Sequence, residues 1–92
     1  MGILKEVAND LKMDSEMLAR NSLKLFLKKE LSNTEAEMFR IGARHGIKSV
    51  LELDDLLKRG KVWEEDVIDD FTELDYLETK RDELLKAIEK LQ

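Results

Sequence analysis

The sequence contains no cysteine and no proline, and only four glycines and five aromatic residues among its 92 positions. Without cysteine there is neither a disulfide scaffold nor a thiolate metal site, which suits a cytoplasmic protein. No run of 18 apolar residues occurs, so no segment is expected to cross a membrane. The first residues, Met1-Gly2-Ile3-Leu4-Lys5-Glu6, lack the basic flank and long apolar core of a signal peptide. Glu6 stands where a myristoylation motif needs Ser or Thr. Asn and Gln are scarce while Lys, Glu and Asp abound, a balance associated with heat-loving organisms.

What is present is charge: 40% of the residues are charged, and the net charge is -5. Nucleic acid is therefore not expected as a partner, because phosphate binding draws its affinity from Lys and Arg. An acidic surface suits a basic protein partner. The length fits one domain covering residues 1–92.

Apolar spacing and capping residues predict an all-α chain with four helices, over about 2–12, 15–45, 49–59 and 63–91. Ile3, Leu4, Val7, Ala8 and Leu11 give the first helix one apolar face. Asp14 or Ser15 caps the second, which carries Met17, Leu18, Leu23, Leu27, Leu31, Met38 and Ile41. Gly46 ends it in the left-handed conformation. Ser32 and Glu35 form a capping-box pattern inside that helix, a point where it is free to bend, although continuity is expected. Ser49 with Glu52 is a cleaner capping box opening the third helix, and Lys58, Arg59 and Gly60 close it.

The last helix carries a heptad stripe. With Leu74 as position a, Leu74, Leu77, Arg81, Leu84, Ile88 and Leu91 alternate a and d, and Arg81 is the interruption. At 1.5 Å per residue, 15–45 and 63–91 span roughly 45 and 43 Å. The match predicts an elongated antiparallel hairpin of two long helices, with a short N-terminal helix and a short connecting helix across one end. Its apolar surface exceeds what one hairpin covers, so a protein partner, a homodimer or both are expected.

Candidate sites divide among this architecture. Trp63, Asp66, Asp70, Phe71 and Glu73 form an acidic-aromatic face suited to binding a partner, with tryptophan a frequent interface anchor. Trp63 also fits a hydrophobic staple onto Val67. The seam or dimer residues are Leu74, Leu77, Arg81, Leu84 and Ile88. Arg81 either extends its head to water or meets a carboxylate, Glu30, Glu35 or Glu37 of the facing helix or one from a partner. Phe71 is expected in the core and Tyr76 at its edge. His45, the single histidine, is expected to cap a helix C-terminus. Glu52, Asp55, Asp66 and Asp69 suggest a magnesium-dependent nucleotide hydrolase, but no basic phosphate clamp or glycine-rich loop accompanies them. No cofactor, metal or catalytic residue is assigned. Lys12, Arg20, Lys24, Lys28 and Lys29 give the N-terminal hairpin local basic charge.

Two resemblances bear on function. Lys5-Glu6-Val7-Ala8-Asn9-Asp10-Leu11, Met13-Asp14-Ser15-Glu16-Met17-Leu18-Ala19-Arg20 and Ser22-Leu23-Lys24-Leu25-Phe26-Leu27 resemble the helix-turn-helix half of ribbon-helix-helix antitoxins. That family reads DNA with a strand ahead of this hairpin, and only Met1, Gly2 and Ile3 precede Leu4 here. The second resemblance covers about two-thirds of the chain. It rests on Glu35-x-Glu37, Arg44-His45-Gly46-Ile47-x-Ser49, Glu52-Leu53, Leu57-Lys58-x-Gly60-Lys61-Val62 and Asp70-Phe71-x-Glu73-Leu74-x-x-Leu77-Glu78. This pattern is similar to small, mostly uncharacterised helical proteins of archaea and bacteria that look like antitoxins of toxin–antitoxin pairs. The resemblance implies a non-enzymatic interaction protein whose partner is a basic toxin. The alternative is a structural module that homodimerises through Leu23, Leu27, Leu31, Leu74, Leu77, Leu84 and Ile88.

Overall fold

Four helices follow one another: α1 (Gly2–Asp10), α2 (Ser15–Ala43), α3 (Val50–Arg59) and α4 (Glu65–Lys90). They are seen in a computed structural model that describes residues 2–47, 49–59 and 65–92. The described residues include no strand, and the fold is all-α. α2 and α4 run antiparallel along most of a molecule measuring 57 × 21 × 21 Å. Its radius of gyration is 18.2 Å, against about 12 Å for a compact chain of this length.

Three polar contacts fix the register of the hairpin. Arg20 near the start of α2 donates to the carbonyl of Leu91 at 3.0 Å. Lys80 Nζ lies 3.7 Å from Glu30 Oε1 at mid-length. Arg44 and His45, just past α2, reach Asp70 near the start of α4. α3 packs across this last end against both long helices, while α1 touches α2 and no other described helix.

The heptad stripe is the inner face of α4. Leu74, Leu77 and Ile88 are buried, and Arg81, Leu84 and Leu91 are half-buried. α2 answers with a stripe of the same spacing: Leu27, Leu31, Thr34, Met38 and Ile41, none of them exposed. Met38 and Leu74, both fully buried, centre the core with Ile41, Phe71 and Leu77, and Ile47 packs against it. Interlocking 3–4 spacings on both helices is the geometry that keeps a seam facing its partner along its whole length.

α2 passes straight through Ser32 without a break. Apolar residues before and after that point present a single phase to α4, so a bend would pull one half off the seam. Thr34 supports continuity from within: its Oγ1 donates back to the Glu30 carbonyl at 2.8 Å, satisfying a hydroxyl that is almost fully buried.

The helix ends show where local signals act. Asp14 caps α2, accepting the Met17 amide at 3.0 Å, and Ser49 Oγ accepts the Glu52 amide at 3.2 Å at the start of α3. α2 stops at Ala43 rather than His45. The Ile47 amide bonds the Gly42 carbonyl at 3.0 Å and the Gly46 amide bonds Ala43 at 3.2 Å, with Gly46 at φ 77. This is a Schellman stop. α1 ends at Asp10 rather than Lys12 by the same device: Met13 to Ala8 at 2.8 Å, Lys12 to Asn9 at 3.1 Å, and Lys12 at φ 56. α4 is helical from Glu65; the expected start at Trp63, and the staple onto Val67, fall outside the described residues and side chains.

Candidate functional site

The Schellman stop of α2 turns the chain so that two successive basic side chains point at one carboxylate on α4. Arg44 Nη1 donates to Asp70 Oδ1 at 3.1 Å, and His45 Nε2 lies 3.1 Å from Asp70 Oδ2. The His45 ring packs on Phe71 with centroids 5.3 Å apart. Arg44 is more than half exposed, whereas His45 and Asp70 are largely covered. Cations at a helix C-terminus also meet the negative end of the helix dipole, so α2 favours them there independently of Asp70. The arrangement ties the end of α2 to the first turns of α4. His45, expected to cap its own helix, instead reaches across to Asp70 and Phe71 of α4.

Outward from this clamp, α4 is acidic. From residue 65 to residue 79 it has no Lys or Arg, and Asp69, Glu73 and Asp75 are exposed. Tyr76 stands among them and is 61% exposed. That corrects the expectation of a core-edge tyrosine. With Leu74 at a, Tyr76 falls at c, a solvent position of the heptad, so the spacing itself carried the signal. Phe71 is in the core, as expected, and so cannot also belong to an outer face.

The acidic-aromatic set thus separates. Glu73 is exposed, Asp70 is held by Arg44 and His45, Phe71 is buried, and Asp66 is helical in backbone. Trp63 lies outside the described residues. The outer face that the structure does assemble comprises Asp69, Glu73, Asp75 and Tyr76.

The seam set stays together. Leu74, Leu77, Arg81, Leu84 and Ile88 all turn toward α2 within the same chain. Of the α2 residues expected to extend it to a dimer, Leu27 and Leu31 join this seam and Leu23 is exposed. Arg81 is 11% exposed at its side chain, with Nη2 4.0 Å from Glu78 Oε1 and Nε 3.7 Å from Asp82 Oδ1, both on its own helix. Glu30 pairs with Lys80, and Glu37 pairs with Arg40 along α2.

The four carboxylates considered for magnesium are dispersed in role. Asp55 pairs with Arg59 at 2.9 Å on α3, Glu52 sits in the first turn of that helix, and Asp69 is exposed on α4. Among the described residues no group of three or more His, Asp or Glu is placed to hold a metal ion. No described helix is long and apolar enough to cross a membrane.

Comparison with known proteins places the chain in a family. The chain matches the "Uncharacterized protein MJ0235 family" over residues 1–92. It is 29% identical over 76 residues to the uncharacterized protein MJ0235 of Methanocaldococcus jannaschii, covering 83% of this chain and 93% of that protein. No solved structure matches it.

Proposed function

The chain belongs to the MJ0235 family, and we propose that it is a non-enzymatic, cytoplasmic interaction protein that docks a basic protein partner on the outer face of α4. The observation that supports this most is the division of α4 into two faces. Its apolar stripe is consumed by α2, and its other side presents Asp69, Glu73 and Asp75 around the exposed ring of Tyr76. Acidic groups steer a basic partner and set the encounter rate, while a tyrosine supplies amphipathic contact area at small entropic cost.

In its more specific form the reading is antitoxin-like: the partner is a basic toxin, and docking on α4 covers the toxin's working surface. Phe71 and Asp70 contribute by holding α4 in place rather than by contact. Asp66 lies in the first turn of the same helix.

The experiment is affinity capture from the source cell with the full chain, followed by binding measurements on whatever basic protein is recovered. Tyr76→Ala should weaken binding, and Glu73→Lys should slow association and flatten its salt dependence. Recovery of no basic protein, together with a neighbouring gene that encodes no toxin, would sink the proposal.

A further inference from the structure

Twelve large apolar side chains stand exposed among the described residues, and nine of them lie at the end of the rod opposite α3. Ile3, Leu4, Val7 and Leu11 run along α1 and its stop, and Leu25 and Phe26 follow on α2. Ile3 is 73% exposed and Leu25 72%. α1 has nine residues, fewer than the roughly 12–15 at which an isolated helix becomes even marginal. Tertiary burial must therefore hold it, yet Ala8 is its only buried residue and α2 its only neighbour among the described helices.

The surface area says how much is left uncovered. A folded monomer of 10.7 kDa exposes about 5,500 Å² by the usual mass relation. This chain exposes 6941 Å², an excess of about 1,400 Å² over that relation. That excess is spread over the whole 57 Å rod, and a stable dimer interface needs about 800 Å² from each partner, a part of it.

Charge says what the occupant is. Residues 31–79 carry thirteen Asp and Glu against six Lys and Arg, whereas the remaining residues carry eight against ten. The Glu30–Lys80 pair marks the boundary between these halves on both long helices. Two copies meeting by their α3 ends would press net negative charge on net negative charge. Meeting by their α1 ends, they bring together nearly neutral surfaces of mixed sign. Glu6, Asp10, Asp14 and Glu16 are interleaved with the bases of that end, which disfavours a phosphate-rich occupant such as a membrane surface or nucleic acid. Exposed apolar side chains interleaved with charges of both signs suit a protein–protein contact.

We infer that the chain forms a symmetric homodimer through the exposed apolar face of α1 and the first half of α2, with a second copy of itself as the occupant. The two acidic α4 faces then lie at opposite ends of the assembly, both free. The inference stands apart from the partner reading, and salt separates them: an apolar interface persists at about 1 M salt, where charge-steered docking is screened.

Light scattering on the full chain over a concentration series tests it, with an expected mass of twice 10.7 kDa. In a two-fold interface each substitution is felt twice, so Leu25→Asp combined with Phe26→Asp should raise the dissociation constant at least about 100-fold. Circular dichroism should show the variant still helical. Phe39→Asp, on an exposed residue of the other half, should leave the dimer intact. Hydrogen exchange should show α1 amides losing protection on dilution. A chain that is monomeric at every concentration overturns the inference, as does a dimer indifferent to Leu25→Asp with Phe26→Asp. So does a monomer that binds anionic vesicles or duplex DNA through these residues.

Discussion

Lys12 and Gly46 occupy the same position in the same kind of helix stop, one at φ 56 and the other at φ 77. Glycine enters the left-handed region freely, whereas lysine pays a steric cost there of about 1 kcal/mol. A β-carbon on Gly46 would meet nothing within 4 Å, so Gly46→Ala isolates the backbone cost. It should lower stability by about 1 kcal/mol. Lys12→Gly should raise it by up to about 1 kcal/mol in chemical denaturation, less the extra freedom that glycine gives the unfolded chain.

Arg81 is the polar member of an otherwise apolar seam, and its aliphatic stem packs where a leucine would. Arg81→Met keeps the stem but removes a largely covered charge that lies beside Glu78 and Asp82, so denaturation should show a loss of about 1 kcal/mol. Arg81→Ala should cost about 1–2 kcal/mol through lost packing. A large loss in the Met variant would show that the guanidinium contributes more than its surroundings indicate.

Asp70 receives two basic side chains from the end of α2. Asp70→Asn leaves the volume but removes the charge, and because the pair with Arg44 is half-exposed the loss should be about 1 kcal/mol. A double-mutant cycle between His45→Ala and Asp70→Ala should give a coupling of about 0.5 kcal/mol or more. Hydrogen exchange should speed up first around residues 44–47. A coupling of zero would mean that the two groups are merely adjacent.

Leu74 and Tyr76 are two residues apart with opposite expectations. Leu74→Ala opens a cavity against Met38 and should cost about 2–5 kcal/mol. Tyr76→Ala, on the exposed face, should change stability by no more than about 0.5 kcal/mol while weakening the basic partner. A destabilised Tyr76 variant would place that ring in the fold rather than at an interface.

The hairpin was legible because heptad spacing on α4, the 27–31–38–41 run on α2 and the nearly equal lengths all report one packing event. Gly46 and Ser49 were legible because their roles follow from residue type. Lys12 was not, since nothing in a lysine announces a left-handed backbone; the hydrogen bonds from Met13 and Lys12 to the last turn impose it. The Ser32–Glu35 box was a true local signal overridden by packing on both sides of it. At the site, the acidity of α4 could be read directly. The heptad phase carried upstream from Leu74 puts Asp70 at d and Phe71 at e, so the phase alone does not mark Phe71 as inner; its packing with Met38 and Ile41 does. The Asp70 clamp joins residues 25 and 26 positions apart, a meeting that only the tertiary turn after α2 creates.

The unequal charge of the two halves has a mechanical consequence. Separated along a 57 Å axis, it makes each chain a permanent electric dipole, and in the field of a basic protein a dipole experiences torque before it makes any contact. A single chain turns its α3 end forward while still about a Debye length away, roughly 8–10 Å at ordinary ionic strength. In a dimer joined by the α1 ends the two dipoles oppose, so either acidic end leads. Orientation therefore precedes collision, and the fraction of encounters that begin with α4 facing the partner exceeds what random tumbling would give.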